Sequence, residues 1–309
     1  MTTSELNQIV ELMKQGGPDF KDETSKVRND FDGLLASLPV DEGLKFETRT
    51  IGGIEGIWLT GQEREDRVLL YLHGGAYVVG TAFGYRSLAA NIARAAGVSL
   101  FSAEYRLAPE HRYPAAIDDA LDAYRGLIEE GFAPEQIVVA GDSAGGGLAA
   151  ALLVALKDAG LQQPAAAWLL SPWADLALSG ESVLSKAHED KLLDGPGLKK
   201  TAGDYLNGTD SRTPLASPIY ADLSGLAPLF IHVGSREILL DDAVRLAARA
   251  GAAGTSARLE IGPGLFHDWP LFAFMLSEGR EALAAAGEFL AGRLDAAGEL
   301  ASVSESIEA

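Results

Sequence analysis

The sequence predicts an α/β fold built on a mostly parallel, doubly wound sheet. From about residue 44, eight short β-rich runs alternate with Ala-rich stretches of helical pattern. The first two runs, 44–51 and 55–60, alternate like an antiparallel pair, whereas the central runs are continuously apolar, as in strands buried on both faces. Strands that alternate with helices favour parallel βαβ units, whose ligand sites lie at the carboxyl ends of the strands.

The other elements follow the same alternation. The remaining predicted strands are 67–73, 98–105, 136–142, 165–171, 228–234 and 257–262. The predicted helices are 85–96, 114–129, 144–159, 241–253 and 270–293. Two regions break the rhythm: residues 1–40 have a helical pattern, and more than fifty residues separate positions 171 and 228. A loop of that length usually has structure of its own. We expect residues 1–40 and an insertion at about 174–213 to form a helical cap over the domain at 41–309.

The composition excludes several classes of function. The chain has no cysteine, which excludes disulfides, thiol nucleophiles and thiolate metal ligands. Its 25 basic and 44 acidic residues leave a net charge of -19, which opposes binding to nucleic acid and to anionic membranes. The N-terminus lacks the pattern of a secretory signal, and no run reaches the roughly 20 apolar residues of a membrane helix. We therefore expect a cytoplasmic protein without a membrane span.

A candidate nucleophile lies in the sequence GDSAG at 141–145. These residues follow the apolar strand 136–140 and open an Ala- and Leu-rich helix. A serine at the tip of such a strand–turn–helix needs small neighbours, because the strand and the helix pass closely there. The helix N-terminus also favours negative charge beside Ser143. The five-residue pattern alone is weak, but its context predicts that Ser143 is a nucleophile.

The sequence HGGAY at 73–77 follows the strand 67–73 and supplies candidate oxyanion donors. Two glycines after a strand let backbone N–H groups point into a cavity, where each donor contributes roughly 3–4 kcal/mol to transition-state stabilisation. An ordinary βα turn also contains glycine, but this one precedes GDSAG at the spacing of an oxyanion loop. We expect Gly74, Gly75 and Ala144 to provide the donors.

A serine nucleophile needs a base, and position along the chain selects one histidine. The five candidates are His73, His111, His188, His232 and His267. The first belongs to the HGGAY loop, the second to a Pro-rich loop, the third to the charged insertion and the fourth to an apolar strand. His267 follows the last strand and comes last in the order serine, acid, histidine. It is the predicted base.

The acid is predicted just after the strand 228–234. Glu237 lies three residues beyond Gly234, and Asp241 and Asp242 follow. The two aspartates are typical of the N-cap and first turn of a helix. Glu237 is therefore the predicted acid, with Asp241 as the alternative. Its role is to orient the imidazole and stabilise the imidazolium. The H-E-D run at 188–190 is interpreted as a solvated surface, so we expect no metal and no cofactor.

Taken together, the motifs resemble the hormone-sensitive-lipase-like esterases of the α/β-hydrolase fold. The matching segments are HGGAY (73–77), YRLAPEHRYPAAIDD (105–119), GDSAG (141–145), 217–242 and FHDW (266–269). The resemblance implies an eight-stranded sheet, a cap, hydrolysis of short-chain acyl esters, and the roles assigned above. The chain departs from the family pattern at Ala76, where a third glycine is more frequent, and at Glu237, where aspartate is.

Several further expectations accompany this resemblance. We expect Tyr77, Leu193, Leu198 and Tyr205 to line the substrate pocket. In the segment 105–119 we expect an ion pair between Arg106 and Glu110. A small-molecule ester is the predicted partner, and a homodimer through edge strands is compatible with the family. The alternatives are an amidase or peptidase with the same triad and a non-catalytic small-molecule receptor. The histidine at position 267 favours catalysis.

Overall fold

The computed structural model describes residues 5–6, 8–9, 11, 18–61 and 63–308 and contains one eight-stranded sheet. The strands are β1 (Glu47–Ile51), β2 (Ile54–Leu59), β3 (Arg64–Leu72), β4 (Val98–Ala103), β5 (Ile137–Asp142), β6 (Ala166–Leu170), β7 (Leu229–Gly234) and β8 (Ala257–Gly262). Their order in the sheet is β1-β2-β4-β3-β5-β6-β7-β8. Strand β2 is antiparallel to β1 and β4, and every other pairing is parallel. The predicted α/β-hydrolase fold is confirmed.

Helices cover the sheet and connect its parallel strands. They are α1 (Thr24–Ala36), α2 (Arg86–Ala96), α3 (Ala115–Glu129), α4 (Ser143–Asp158), α5 (Ser182–Ser185), α6 (Gly195–Leu206), α7 (Leu240–Ala252) and α8 (Ser277–Glu308). Helix α2 packs against α8, and α3 packs against α4. The last helix begins at Ser277 rather than at the predicted position 270, because a 3₁₀ turn at Trp269–Phe272 precedes it. Within the described ranges, no helix is both long and apolar enough to cross a bilayer.

The centre of the sheet forms the core and fixes the position of the site. Every residue of β5, β6 and β7 is buried. Such continuously apolar strands form because helices cover both faces and leave no side facing water. The parallel strands β3, β5, β6, β7 and β8 end at the same edge of the sheet, so the loops that follow them meet there.

Two segments lie outside the regular alternation. Helix α1 precedes the sheet, and α5 and α6 lie in the long connection between β6 and β7. Asp194 caps α6, because its side chain accepts a hydrogen bond from the Gly197 N–H at 2.7 Å. Side chains from both segments line one cavity at the carboxyl edge of the sheet. We propose that these segments form the cap predicted for 1–40 and 174–213; residues 1–4, 7, 10 and 12–17 lie outside the described part of the chain.

Candidate active site

Ser143 occupies a sharp turn between β5 and α4. Its φ of 51° lies in the left-handed region, which costs energy for any residue with a Cβ. The flanking glycines are required by close packing. A Cβ on Gly145 would lie 2.0 Å from the Leu72 carbonyl oxygen, and one on Gly141 would lie 2.3 Å from the Gly145 carbonyl oxygen. The turn therefore holds Ser143 at the end of the strand, in the wall of a cavity.

His267 and Glu237 form a buried hydrogen-bonded pair at this edge. The Nδ1 of His267 lies 2.8 Å from Oε2 of Glu237. The other carboxylate oxygen accepts hydrogen bonds from the Ser171 hydroxyl, at 2.7 Å, and from the Gly234 N–H. Burial raises the pKa of Glu237, and the hydrogen bond from His267 opposes that shift. The three donors hold the carboxylate in a single orientation, with one oxygen facing the imidazole.

The two aspartates that follow Glu237 accept hydrogen bonds from backbone N–H groups and not from His267. Asp241 accepts a hydrogen bond from the Ser182 N–H at 2.8 Å. Asp242 accepts hydrogen bonds from the N–H groups of Ala174 and Asp175, at 2.9 and 2.8 Å. Both lie in the first turn of α7, but its N-cap is Leu239, so neither aspartate has the predicted N-cap position.

Asp268 is a second carboxylate beside the imidazole, and sequence reasoning missed it. Its Oδ2 lies 3.1 Å from Nε2 of His267, and the residue is 4% exposed. Burial alone would lower the pKa of His267, but Asp268 and Glu237 raise it well above its usual value. Within the described chain, Ser143 Oγ has no hydrogen-bond partner. The carboxylate next to His267 in FHDW was the available signal.

The loop after β3 contains the predicted oxyanion donors, and one of them already has an acceptor. The Gly74 N–H donates to Asp142 Oδ1 at 2.9 Å, so it is not free, and that prediction is wrong. The N–H groups of Gly75 and Ala76 donate to no acceptor among the described residues, and both residues line the same cavity as Ser143. The Ala144 N–H is likewise free, since it lies in the first turn of α4. The available donors are therefore Gly75, Ala76 and Ala144.

The remaining histidines have other environments. His73 is fully buried, and its ring stacks between Tyr85 and Tyr105, with centroids 5.6 and 4.3 Å away. Burial lowers the pKa of His73 to about 4. His232 is buried in β7, where Trp168 Nε1 donates to its Nδ1 at 2.9 Å. His111 and His188 are exposed. Among the five histidines, His267 lines the cavity together with Ser143.

A narrow apolar cavity of about 50 Å³ adjoins Ser143. Its walls come from the segment around α1, from the β6–β7 connection and from the loop after β8. The lining residues are Pro18, Phe20, Phe31, Leu34, Leu35, Leu38, Gly75, Ala76, Tyr85, Ser143, Leu192, Leu193, Leu198, His267, Asp268, Leu271 and Phe272. Leu193 and Leu198 thus lie where the sequence predicts them.

Tyr77 and Tyr205 do not line this cavity, contrary to the prediction. Their rings stack on each other, with centroids 4.1 Å apart and planes within 4° of parallel. Both are almost completely buried. The stacking joins the loop after β3 to α6.

Comparisons with known proteins agree with this geometry. A model of the alpha/beta hydrolase fold family matches residues 69–271. An acetyl-hydrolase of Streptomyces hygroscopicus is 42% identical over 293 residues, which cover 94% of this chain and 97% of that protein. An ethyl acetate hydrolase of Pseudomonas putida is 34% identical over 224 residues, 70% of each protein. A crystal structure of an esterase from the bacterial hormone-sensitive lipase family has a TM-score of 0.91 at 40% identity, covering 95% of this chain and 99% of that one.

The chain belongs to the hormone-sensitive-lipase-like carboxylesterases of the alpha/beta hydrolase fold. It is a carboxylic-ester hydrolase.

In this esterase, Asp190 links the cavity wall to the loop that carries Glu237. One of its oxygens accepts hydrogen bonds from the N–H groups of Leu192 and Leu193, both at 3.0 Å. The other accepts from the N–H of Ile238, the residue after Glu237, at 2.9 Å. Hydrogen bonds to a buried charged group are among the stronger ones in proteins. Asp190 thereby connects the wall of the cavity to the loop that carries Glu237.

The segment 105–119 of the esterase is held by ion pairs other than the one predicted. Arg106 binds the buried carboxylate of Asp119 at 2.6 Å, and Glu110 binds Arg28 of α1 at 2.7 Å. Arg28 also donates to the carbonyl oxygens of Val78 and Ala108. The predicted pair between Arg106 and Glu110 is wrong, because each side chain has a partner on a helix packed against the loop.

Proposed function

We propose that the esterase uses Ser143 as nucleophile, His267 as base and Glu237 as acid, through an acyl-enzyme. The observation that supports this assignment is the buried 2.8 Å hydrogen bond between His267 and Glu237, in the wall of the cavity that also contains Ser143. The left-handed backbone of Ser143 supports it further, since backbone strain at a single turn residue is typical of functional sites.

The reaction proceeds by two acyl transfers. Ser143 Oγ attacks the ester carbonyl while His267 Nε2 removes its proton, and the resulting oxyanion accepts hydrogen bonds from the N–H groups of Gly75, Ala76 and Ala144. His267 then gives that proton to the leaving alkoxide, which leaves the acyl group on Ser143. Water, deprotonated by His267, attacks the acyl-enzyme and releases the acid. Glu237 keeps the imidazole oriented and stabilises its positive charge throughout.

We propose short-chain acyl esters as the substrates. The cavity beside Ser143 has a volume of about 50 Å³, enough for a few water molecules, and its walls are mostly leucine and phenylalanine. An acetyl or butanoyl group fits such a space, whereas a long chain would have to part the cap. Two relatives are named acetyl-hydrolase and ethyl acetate hydrolase, which is in line with this size.

The test is a series of p-nitrophenyl esters from acetate to decanoate. We expect kcat/KM to be highest for acetate to butanoate and to fall with longer chains; a maximum at octanoate or decanoate would contradict the short-chain proposal. Ser143→Ala should abolish hydrolysis of the butanoate. Ser102→Ala is the matched control, because Ser102 is a buried serine of β4 whose hydroxyl has no partner within the described chain. Retained turnover in Ser143→Ala would refute the nucleophile. The cytoplasmic location and the homodimer stay predictions.

A further inference from the structure

The base of the proposed triad contacts an acid on each ring nitrogen. Nδ1 of His267 lies 2.8 Å from Glu237, and Nε2 lies 3.1 Å from Asp268. All three side chains are at least nine-tenths buried. An imidazole with a carboxylate at each nitrogen is most stable with a proton on both. In that form it has no lone pair with which to accept the proton of Ser143.

Acidic side chains from several elements surround His267. Glu237 faces it from the loop after β7, Asp268 follows it in the chain, and Asp142 at the end of β5 interacts with Asp268. Burial, followed by the charge of Asp268, raises the pKa of Asp142 well above its usual value. The cavity wall also contributes the phenol of Tyr85, and none of its described residues is lysine or arginine.

We propose that Asp268 is a positioning residue that keeps His267 protonated and away from Ser143 while the site is empty, and that the ester displaces it. This inference rests on the proposed function, in which His267 is the base. Nε2 must protonate the leaving alkoxide, so the alcohol oxygen of a bound ester lies within hydrogen-bond reach of Nε2. Asp268 Oδ2 lies 3.1 Å from the same nitrogen, so Asp268 and the alcohol oxygen compete for Nε2.

Displacement also moves one proton. As Asp268 leaves, the Nε2–H bond of the imidazolium breaks and the proton passes to a solvent water, which leaves a neutral imidazole. The neutral form is favoured when the ester fills the cavity, because the imidazolium has then lost one of its two carboxylate partners. The imidazole then has a free lone pair on Nε2, directed at Ser143 by its remaining hydrogen bond to Glu237.

The test is the pH dependence of p-nitrophenyl butanoate hydrolysis by the wild type and Asp268→Asn. The acidic limb of the pH profile of kcat/KM gives the pKa of the base in the free enzyme. The acidic limb for kcat gives the pKa of the same base in the enzyme–substrate complex. In the wild type we expect the apparent pKa of the kcat/KM limb to be higher than that of the kcat limb by about one unit or more. One unit corresponds to a tenfold change in the protonation equilibrium of the base. In Asp268→Asn the two limbs should coincide. Asparagine tolerates the φ of 53° at this position, so the variant keeps the backbone.

Two controls separate the possible failures. Asp241→Asn removes the same charge from a carboxylate that binds the Ser182 N–H and not His267, and it should leave both limbs in place. His267→Gln should lose activity; if it does not, the proposed function fails. If His267→Gln is inactive but the wild-type limbs coincide, or Asp268→Asn leaves the kcat/KM limb unmoved, the role of Asp268 is refuted while the triad stands.

Discussion

Asp142, the residue before the nucleophile, accepts a hydrogen bond from the Gly74 N–H at 2.9 Å through its Oδ1. The Tyr71 hydroxyl donates to the same oxygen at 2.6 Å. The turn that holds Ser143 and the loop that holds the oxyanion donors are therefore joined by one side chain. There is no room for a larger residue at Gly74, since a Cβ there would lie 2.1 Å from Asp142 Oδ2.

This contact predicts different results for two substitutions of Asp142. Burial raises the pKa of Asp142 well above its usual value, and Oδ1 of its carboxyl group accepts both hydrogen bonds. Asp142→Asn keeps the acceptor and the shape, and we expect kcat/KM within about tenfold of the wild type. Asp142→Ala leaves the Gly74 N–H and the Tyr71 hydroxyl without an acceptor, which should cost about 1–3 kcal/mol, a loss of roughly 10–100-fold. Equal kcat/KM in the two variants would contradict the link.

Glu237→Gln should inactivate the esterase. The Gly234 N–H and the Ser171 hydroxyl donate to one carboxylate oxygen, so the amide oxygen of glutamine stays there and its NH₂ group faces Nδ1 of His267. That group forces the wrong tautomer on the imidazole, and we expect kcat to fall on the order of 10³–10⁴-fold. Asp241→Asn is the matched control and should retain activity. The opposite ranking in steady-state assays would make Asp241 the acid.

The corrected oxyanion site predicts contrasting results at two neighbouring positions. Gly75 has a φ of 116°, and a Cβ there would lie 2.1 Å from the Val79 carbonyl oxygen. Gly75→Ala should therefore displace the donor N–H and lower kcat by about 10²–10³-fold. Ala76→Gly keeps its N–H and relieves the φ of 53°, so its kcat should stay within about twofold. Circular dichroism should show both variants folded; unchanged kcat in Gly75→Ala would contradict the assignment.

Because His73 is buried, we expect the free energy of unfolding to fall as the pH is lowered. Burial lowers its pKa from 6.5 to about 4, so the unfolded chain takes up a proton below pH 6.5 that the folded chain does not take up until about pH 4. The stabilisation is complete above pH 6.5 and is lost on acidification, by about 2 kcal/mol between pH 7 and pH 5. Urea unfolding at both pH values measures the loss, and NMR titration identifies its source. A His73 resonance that titrates near pH 6.5 would contradict this.

The sequence predicted the fold and the positions of Ser143, His267 and Glu237 because those depend on local patterns. Strand, turn and helix signals place each residue on a loop after a parallel strand, and all such loops meet at one edge. A chain order of serine, acid and histidine then leaves few choices. Glu237 lies on a short loop whose start is marked by Gly234, which made it the first acid within reach of that edge.

Other predictions depended on side chains from distant segments. The HGGAY pattern predicts a free N–H at Gly74 but does not show that Asp142 accepts it. The partners of Arg106 and Glu110 come from helices α3 and α1, and periodicity does not specify such contacts. Tyr77 stacks on Tyr205 only because α6 returns over the loop after β3. The contact between Asp268 and Nε2 of His267 depends on the orientation of two neighbouring side chains, which a sequence pattern does not specify.

The most direct test of the triad is active-site labelling with a fluorophosphonate, read by intact mass and by peptide mapping. The structure predicts one adduct, located on Ser143, absent in Ser143→Ala, and formed far more slowly in His267→Gln. Ser102→Ala should label like the wild type. Complete labelling of Ser143→Ala, or an adduct mapped to another residue in the wild type, would contradict the assignment of Ser143 as the nucleophile.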